Sequence, residues 1–132
     1  MKHLTAYQVF LKKGLSDLKA ALKLLEFEDI ESDVICFHFQ QFIEKYLKAF
    51  LIYHDFEPKK IHDLVLLLEH CKSFEPEFIK FIESELIDLS DCGVFIRYDD
   101  IEEIDRDFLN NILPILKDFK NFVESKMNIQ LY

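Results

Sequence analysis

Residues Ser32 to His54, SDVICFHFQQFIEKYLKAFLIYH, decide how this chain folds. The stretch contains neither Gly nor Pro, and it is long enough for about six helical turns. At about 100° per residue its side chains divide into two unequal halves. One half carries Ile35, Cys36, Phe39, Phe42, Ile43, Tyr46, Leu47, Ala49, Phe50 and Tyr53. The other carries His38, Gln40, Gln41, Glu44, Lys45 and Lys48, with Phe37, Leu51 and Ile52 set among them. An apolar face this wide suits a helix packed against two or three neighbours, not one lying on a surface. The stretch predicts the central helix of a bundle, and its polar half is the first place to look for chemistry.

Upstream, Leu4, Tyr7, Leu11, Leu15, Leu18, Leu22 and Leu25 recur every three or four residues, which predicts one amphipathic helix over about 4–27. Gly14 interrupts it: the chain could break there, since Ser16 followed by Asp17 resembles a fresh helix start, or the Gly allows close helix packing, the reading preferred. The acidic connection EFEDIE follows, and Ser32 or Asp33 is the expected cap of the central helix. Downstream, Pro58 sets a loop. HDLVLLLEHC, from His62 to Cys71, reads as a short third helix with Asp63 near its positive end. A fourth helix is expected from Pro76 to about Asp91, facing inward with Phe78, Ile82, Leu86 and Leu89, and Gly93 can cap it. GVFIRYDDIEEI, residues 93–104, lacks a helical period. VFIRY has no obvious strand to pair with, so the segment reads as an extended loop. The last helix, about Asp105 to Met127, buries Phe108, Ile112, Ile115, Leu116, Phe119 and Val123, with a kink or restart expected at Pro114. The tail NIQLY is expected to fray. The fold class is therefore all-α: residues 1–132 form a single domain, an up-and-down bundle of four long helices and a short one.

Composition agrees. The 132 residues are 50% hydrophobic and contain only two Gly and three Pro, which favours long helices. The net charge of −9 argues against general affinity for a phosphate backbone, so RNA is not the expected partner. Cys36, Cys71 and Cys92 form no C-x-x-C pair and read as buried free thiols in a reducing cytoplasm. The N-terminus breaks its apolar run with charges, unlike a signal peptide, and no run is long enough to span a bilayer. A cytoplasmic protein without a membrane partner is expected.

No Gly-rich phosphate loop, H-E-x-x-H or G-x-S-x-G is present, and the five His show no metal-ligand spacing, so no metal and no fixed cofactor is expected. His38, Gln41, Lys45 and Lys48 line one face of the central helix, either as solvated surface or as a groove or subunit interface. Glu44 and Lys48 are spaced to pair. Phe37 on this face favours a contact surface. His62-Asp63 reads as a helix cap. Arg97-Tyr98 beside Asp99 and Asp100 reads as a structural ion pair, or as a guanidinium offered to a phosphate or carboxylate.

Taken together, FHFQQFIEKYLKAFLIYHDFEP, IHDLVLLLEHC and IRYDD before a final helix resemble the HEPN family, the higher eukaryotes and prokaryotes nucleotide-binding domain. Phe37, His38, Gln40, Gln41, Glu44, Lys45, Leu47, Lys48 and Ala49 match its first phrase. His62, Asp63 and Leu64 match the H-D-L, Arg97 and Tyr98 match the late R-Y, and Asp17, Leu18 and Ala21 resemble its opening helix. The resemblance implies a helical homodimer in a prokaryotic cytoplasm, often beside a minimal nucleotidyltransferase partner in a two-gene module. It also implies, for many members, a toxin ribonuclease using an Arg followed after four to six residues by a His. That motif is missing: the last His is His70, ahead of both Arg97 and Arg106.

The leading reading is thus a non-catalytic HEPN subunit that binds a nucleotide or a nucleotidyltransferase through His38, Gln41, Lys45, Lys48, Arg97 and Tyr98. The alternatives are a ribonuclease toxin of a toxin-antitoxin pair, with a variant site of His62, Asp63, Arg97 and Tyr98, or a plain dimerisation module.

Overall fold

The computed structural model describes residues 4–58, 60–91, 96–97, 100–101 and 105–129, with backbone alone at 91, 96–97 and 100–101. Its elements are α1 (Ala6–Leu24), α2 (Ser32–Tyr53), α3 (Leu64–Phe74), α4 (Ile79–Ile82) and α5 (Arg106–Lys126). The fold is all-α, as the apolar periodicity implies.

α2 is the core of the bundle. Nine of the ten residues on its apolar half are buried, Tyr53 being the exception at its last turn. α1 packs antiparallel along it: Tyr7 meets Tyr53 edge-on, and Gly14 lies against Tyr46. A Cβ built on Gly14 would stand 2.9 Å from Tyr46 Cδ1 and 3.2 Å from Lys45 Cβ. Gly14 is therefore a point of close approach between the two helices, and α1 passes through it unbroken. α5 runs in the same sense as α2, with Phe42 against Phe119 and Tyr46 against Glu124.

Several details depart from the periodicity reading. α2 begins at Ser32 with Glu31 in the cap position, so neither Ser32 nor Asp33 is the cap, and Asp33 sits in the first turn. The helix ends before Pro58: Asp55 takes φ 60°, and Phe56 N–H returns to Leu51 O at 2.9 Å. A left-handed residue with this return bond closes a helix end. The connection then doubles back along α2. His62 reaches Glu44, Cys71 reaches Leu47 and Phe74 stacks on His54, so α3 runs in the same sense as α2. Strict up-and-down alternation thus holds for α1 and α2 but not for α2 and α3.

The expected fourth long helix is a chain of short turns, Pro76–Phe78, Ile79–Ile82 and Glu85–Asp91. Ser84 explains one break: its hydroxyl donates to Phe81 O at 2.8 Å and accepts from Leu86 N–H at 3.2 Å, replacing helical bonds. Phe78, Phe81, Leu86 and Leu89 are nevertheless buried. The late segment does find a partner strand, contrary to the extended-loop reading: β1 (Ile96–Arg97) pairs antiparallel with β2 (Asp100–Ile101), Arg97 opposite Asp100. Gly93 lies outside the described residues. α5 is continuous through Pro114, so no restart occurs, and Pro114 lies on its exposed side.

Among the cysteines, Cys71 is free and buried, with its thiol pushed well above the ordinary range by burial. Cys36 is disulfide-bonded, which corrects the expectation of a free thiol there. Cys92 lies outside the described residues. Among the described residues no helix is long and apolar enough to cross a membrane.

Candidate functional site

The polar half of α2 is shared between two neighbours. Towards α1, His38 Nδ1 lies 3.0 Å from Asp17 Oδ1, and Lys45 Nζ donates to the other carboxylate oxygen. A carboxylate only accepts, so the imidazole proton sits on Nδ1 and Nε2 is left as the second ring position. His38 and Lys45 are seven residues apart, two helical turns, which is why one carboxylate from α1 can bridge them.

Towards α3, Glu44 pairs with Lys48 at 3.8 Å and receives His62 Nδ1 at 3.3 Å. The i,i+4 pair matches the expected spacing. Its burial does not match a solvated face: Glu44 and Lys48 are only 9% and 8% exposed. Gln40 donates to Ser90 O at 3.0 Å, tying the short-turn segment to α2. Gln41 is half-buried and Phe37 is exposed, its ring edge-on to His38.

The variant catalytic set divides. Asp63 is occupied as the N-cap of α3, accepting from Val65 N–H at 2.9 Å and Leu66 N–H at 3.2 Å. His62 is mostly exposed, with one ring nitrogen on Glu44. The Arg97 side chain and all of Tyr98 lie outside the described residues, and so does the question of whether that loop closes over α2. Arg106 is a structural residue: its guanidinium donates to the carbonyls of Leu25 (3.0 Å), Phe27 and Ile30 (2.9 Å), fixing the α1–α2 connection.

One polar cluster escaped the sequence reading. Tyr46 Oη donates to Glu124 Oε2 at 2.7 Å, and Lys120 Nζ lies 2.9 Å from the same oxygen. Glu124 is 2% exposed. Burial first, then the hydrogen bond to Glu124 and the charge of that carboxylate, push the Tyr46 phenol far above its ordinary value. The spacing of Lys120 and Glu124 was a readable signal. Tyr46, placed among core residues, gave none. Asp17 stood out only through the resemblance of its D-L-x-x-A neighbourhood, because its role depends on the α1–α2 register.

The HEPN domain model matches residues 7–126. The chain belongs to the HEPN domain family. Comparison with curated proteins and with solved structures gave no match. The matched span runs from the first turn of α1 to the last residue of α5, so the HEPN domain is the entire described bundle. Both clusters on α2 lie inside it.

Chemically, each cluster joins one carboxylate to one lysine and one imidazole: Asp17 with Lys45 and His38, Glu44 with Lys48 and His62. The two lysines expected to supply positive charge are both paired. Among the described residues no group of three or more His, Cys, Asp or Glu is placed to hold a metal ion.

Proposed function

We propose that this HEPN protein is a non-catalytic subunit that dimerises and holds a protein partner, a minimal nucleotidyltransferase, against the polar face of α2. One observation carries the choice of a protein over a nucleotide: Lys45 and Lys48 are each neutralised by a carboxylate, Asp17 and Glu44. A phosphate arriving there would have to displace a carboxylate from each lysine, which removes most of the electrostatic gain. Val34 and Phe37, both exposed and one turn apart beside this face, supply the apolar contact that protein interfaces use. The order of Arg and His in the chain supports the non-catalytic part of the reading, since no His follows Arg97 or Arg106.

Co-expression with a neighbouring minimal nucleotidyltransferase, followed by affinity capture and light scattering, tests this. A stable complex lost in Phe37→Asp is expected. Failure to co-purify, together with a saturable nucleotide titration abolished by Lys45→Ala, would replace the partner with a nucleotide.

A second reading, a variant ribonuclease, draws on one feature: the exposed His62 imidazole held by buried Glu44 is arranged as a proton-transferring group would be. RNA cleavage lost in both His62→Ala and Arg97→Ala would establish it, and intact RNA after incubation with the wild type would dismiss it.

A further inference from the structure

α1 carries more on its surface than its contact with α2 requires. Gln8, Leu11, Leu15, Leu18 and Leu22 of α1 are spaced three, four, three and four, the alternation of a coiled-coil seam; Leu4 stands just ahead of the helix, and Leu11 and Leu18 are already buried at the base of the seam. Tyr7, Gly14 and Ala21, on one flank of that seam, face α2. The seam itself borders α5, yet among the described residues the backbones of α1 and α5 do not close on one another as α1 and α2 do. Between them lies an apolar groove of about 390 Å³, floored by Leu15, Leu18, Leu22, Leu113 and Leu116. It continues past Leu15 to a second hollow formed by Leu4, Leu11 and Ile129. From Gln8 to Leu22 the seam is roughly 21 Å long at 1.5 Å per residue.

The groove has a sign. Lys19 and Lys117 stand on its two walls, Lys120 lines it, and Lys12 lines the continuation, with no acidic side chain among the lining residues. Among the described residues no carboxylate pairs with Lys19 or Lys117, whereas Lys120 is tied to Glu124. α1 holds four lysines and a single acid, Asp17, which is turned away to His38 and Lys45. This basic helix sits in a chain of net charge −9.

We propose that the α1–α5 groove docks an amphipathic helix of a partner protein, one whose apolar stripe is flanked by Glu or Asp. The helix-in-groove mode supplies the apolar seam contact, and the lysine walls select an acidic flank. A second copy of this chain fits less well, because it would bring its own Lys12, Lys19 and Lys117 against the same lysines. The inference deepens the partner-subunit reading and rests on it for the existence of a partner.

The probe is a labelled 18-residue helical peptide with Leu at the seam positions and Glu at the flanks, followed by fluorescence anisotropy. A control peptide carries Lys in place of Glu. The acidic peptide is expected to bind saturably and at least tenfold more tightly than the control. Leu22→Asp, at a half-exposed position, is expected to weaken it tenfold or more with the thermal melt of the protein retained, and Lys19→Glu with Lys117→Glu to do the same. Equal binding of the two peptides, no binding of the acidic one, or indifference to these variants would overturn the proposal. So would sedimentation showing a dimer that Leu22→Asp dissociates, since a second copy would then cover the groove. A nucleotidyltransferase still captured by Leu22→Asp would overturn the groove and keep the partner reading. Peptide binding with no captured partner would keep the groove and overturn that reading.

Discussion

Gly14→Ala is the most exacting test of how α1 and α2 are joined. In an exposed helix interior, replacing Gly by Ala stabilises by about 1 kcal/mol, because Gly gives up the most backbone entropy on folding. Here the new methyl would lie 2.9 Å from Tyr46 Cδ1, closer than non-bonded carbons sit. The ring cannot swing aside freely. It is fully buried, tilted against Phe42 at 4.6 Å, and anchored by its hydroxyl to Glu124. Overpacking of this kind costs about 1–3 kcal/mol. Any displacement of the ring also weakens a hydrogen bond to a buried charge, a class worth about 1.5–3 kcal/mol. With the helix gain subtracted, a net loss of about 1–3 kcal/mol is expected, read as a lower urea midpoint at unchanged slope. In a Tyr46→Leu background the ring contact is gone and only the 3.2 Å approach to Lys45 Cβ remains, so the same Gly14→Ala change is expected to cost less, a coupling measurable by a double-mutant cycle. If Gly14→Ala alone raised stability by about 1 kcal/mol, the close approach would be refuted.

Three further outcomes are expected. Arg106→Lys leaves the α1–α2 connection as loose as Arg106→Ala does, because an ammonium cannot reach three carbonyls as a guanidinium fork does; hydrogen exchange over residues 25–31 reads this. Asp17→Asn costs about 1–3 kcal/mol, since Lys45 and His38 lose a partly buried carboxylate; thermal melts compared with Ser16→Asn as a surface control show it. Stability falls with rising pH above the ordinary Cys and Tyr values of 9.0 and 10.0. The folded state holds the Cys71 and Tyr46 protons more tightly, so the unfolded chain loses them first, at about 1.4 kcal/mol per pH unit per group. Urea midpoints from pH 8 to 11 follow this decline, and in Tyr46→Phe its Tyr46 part disappears.

The contrast between legible and hidden features follows from range along the chain. α2 could be read because its apolar face is written within 23 consecutive residues, and the structure begins and ends it within one residue of that stretch. Gly14 could be read as a packing residue, because a helix interior rarely holds Gly otherwise. Glu44 and Lys48 were legible as a pair but not as a buried one, since burial depends on residues distant in the chain. The bridges from Asp17 to His38 and Lys45 join two helices, and Tyr46 meets Glu124 across 78 residues. No local period encodes either contact. The broken fourth segment was hidden by its own apolar spacing, which Phe78, Leu86 and Leu89 satisfy equally well in a chain of short turns.

The distance between Tyr46 and Glu124 has a consequence for how the protein is made. At about 5–20 residues per second of synthesis, roughly 4–16 s separate the two residues as the chain grows. Through that interval the α1–α2 hairpin can form, because its contacts lie close in sequence, but the Tyr46 hydroxyl has no carboxylate to meet. The nascent hairpin is therefore expected to be open on its α5 side until the last helix leaves the ribosome. Protease digestion of stalled chains that end at residue 105 or residue 127, each extended by a linker long enough to fill the ribosomal exit tunnel, would register the difference: cleavage within α2 in the shorter chains, protection in the longer ones.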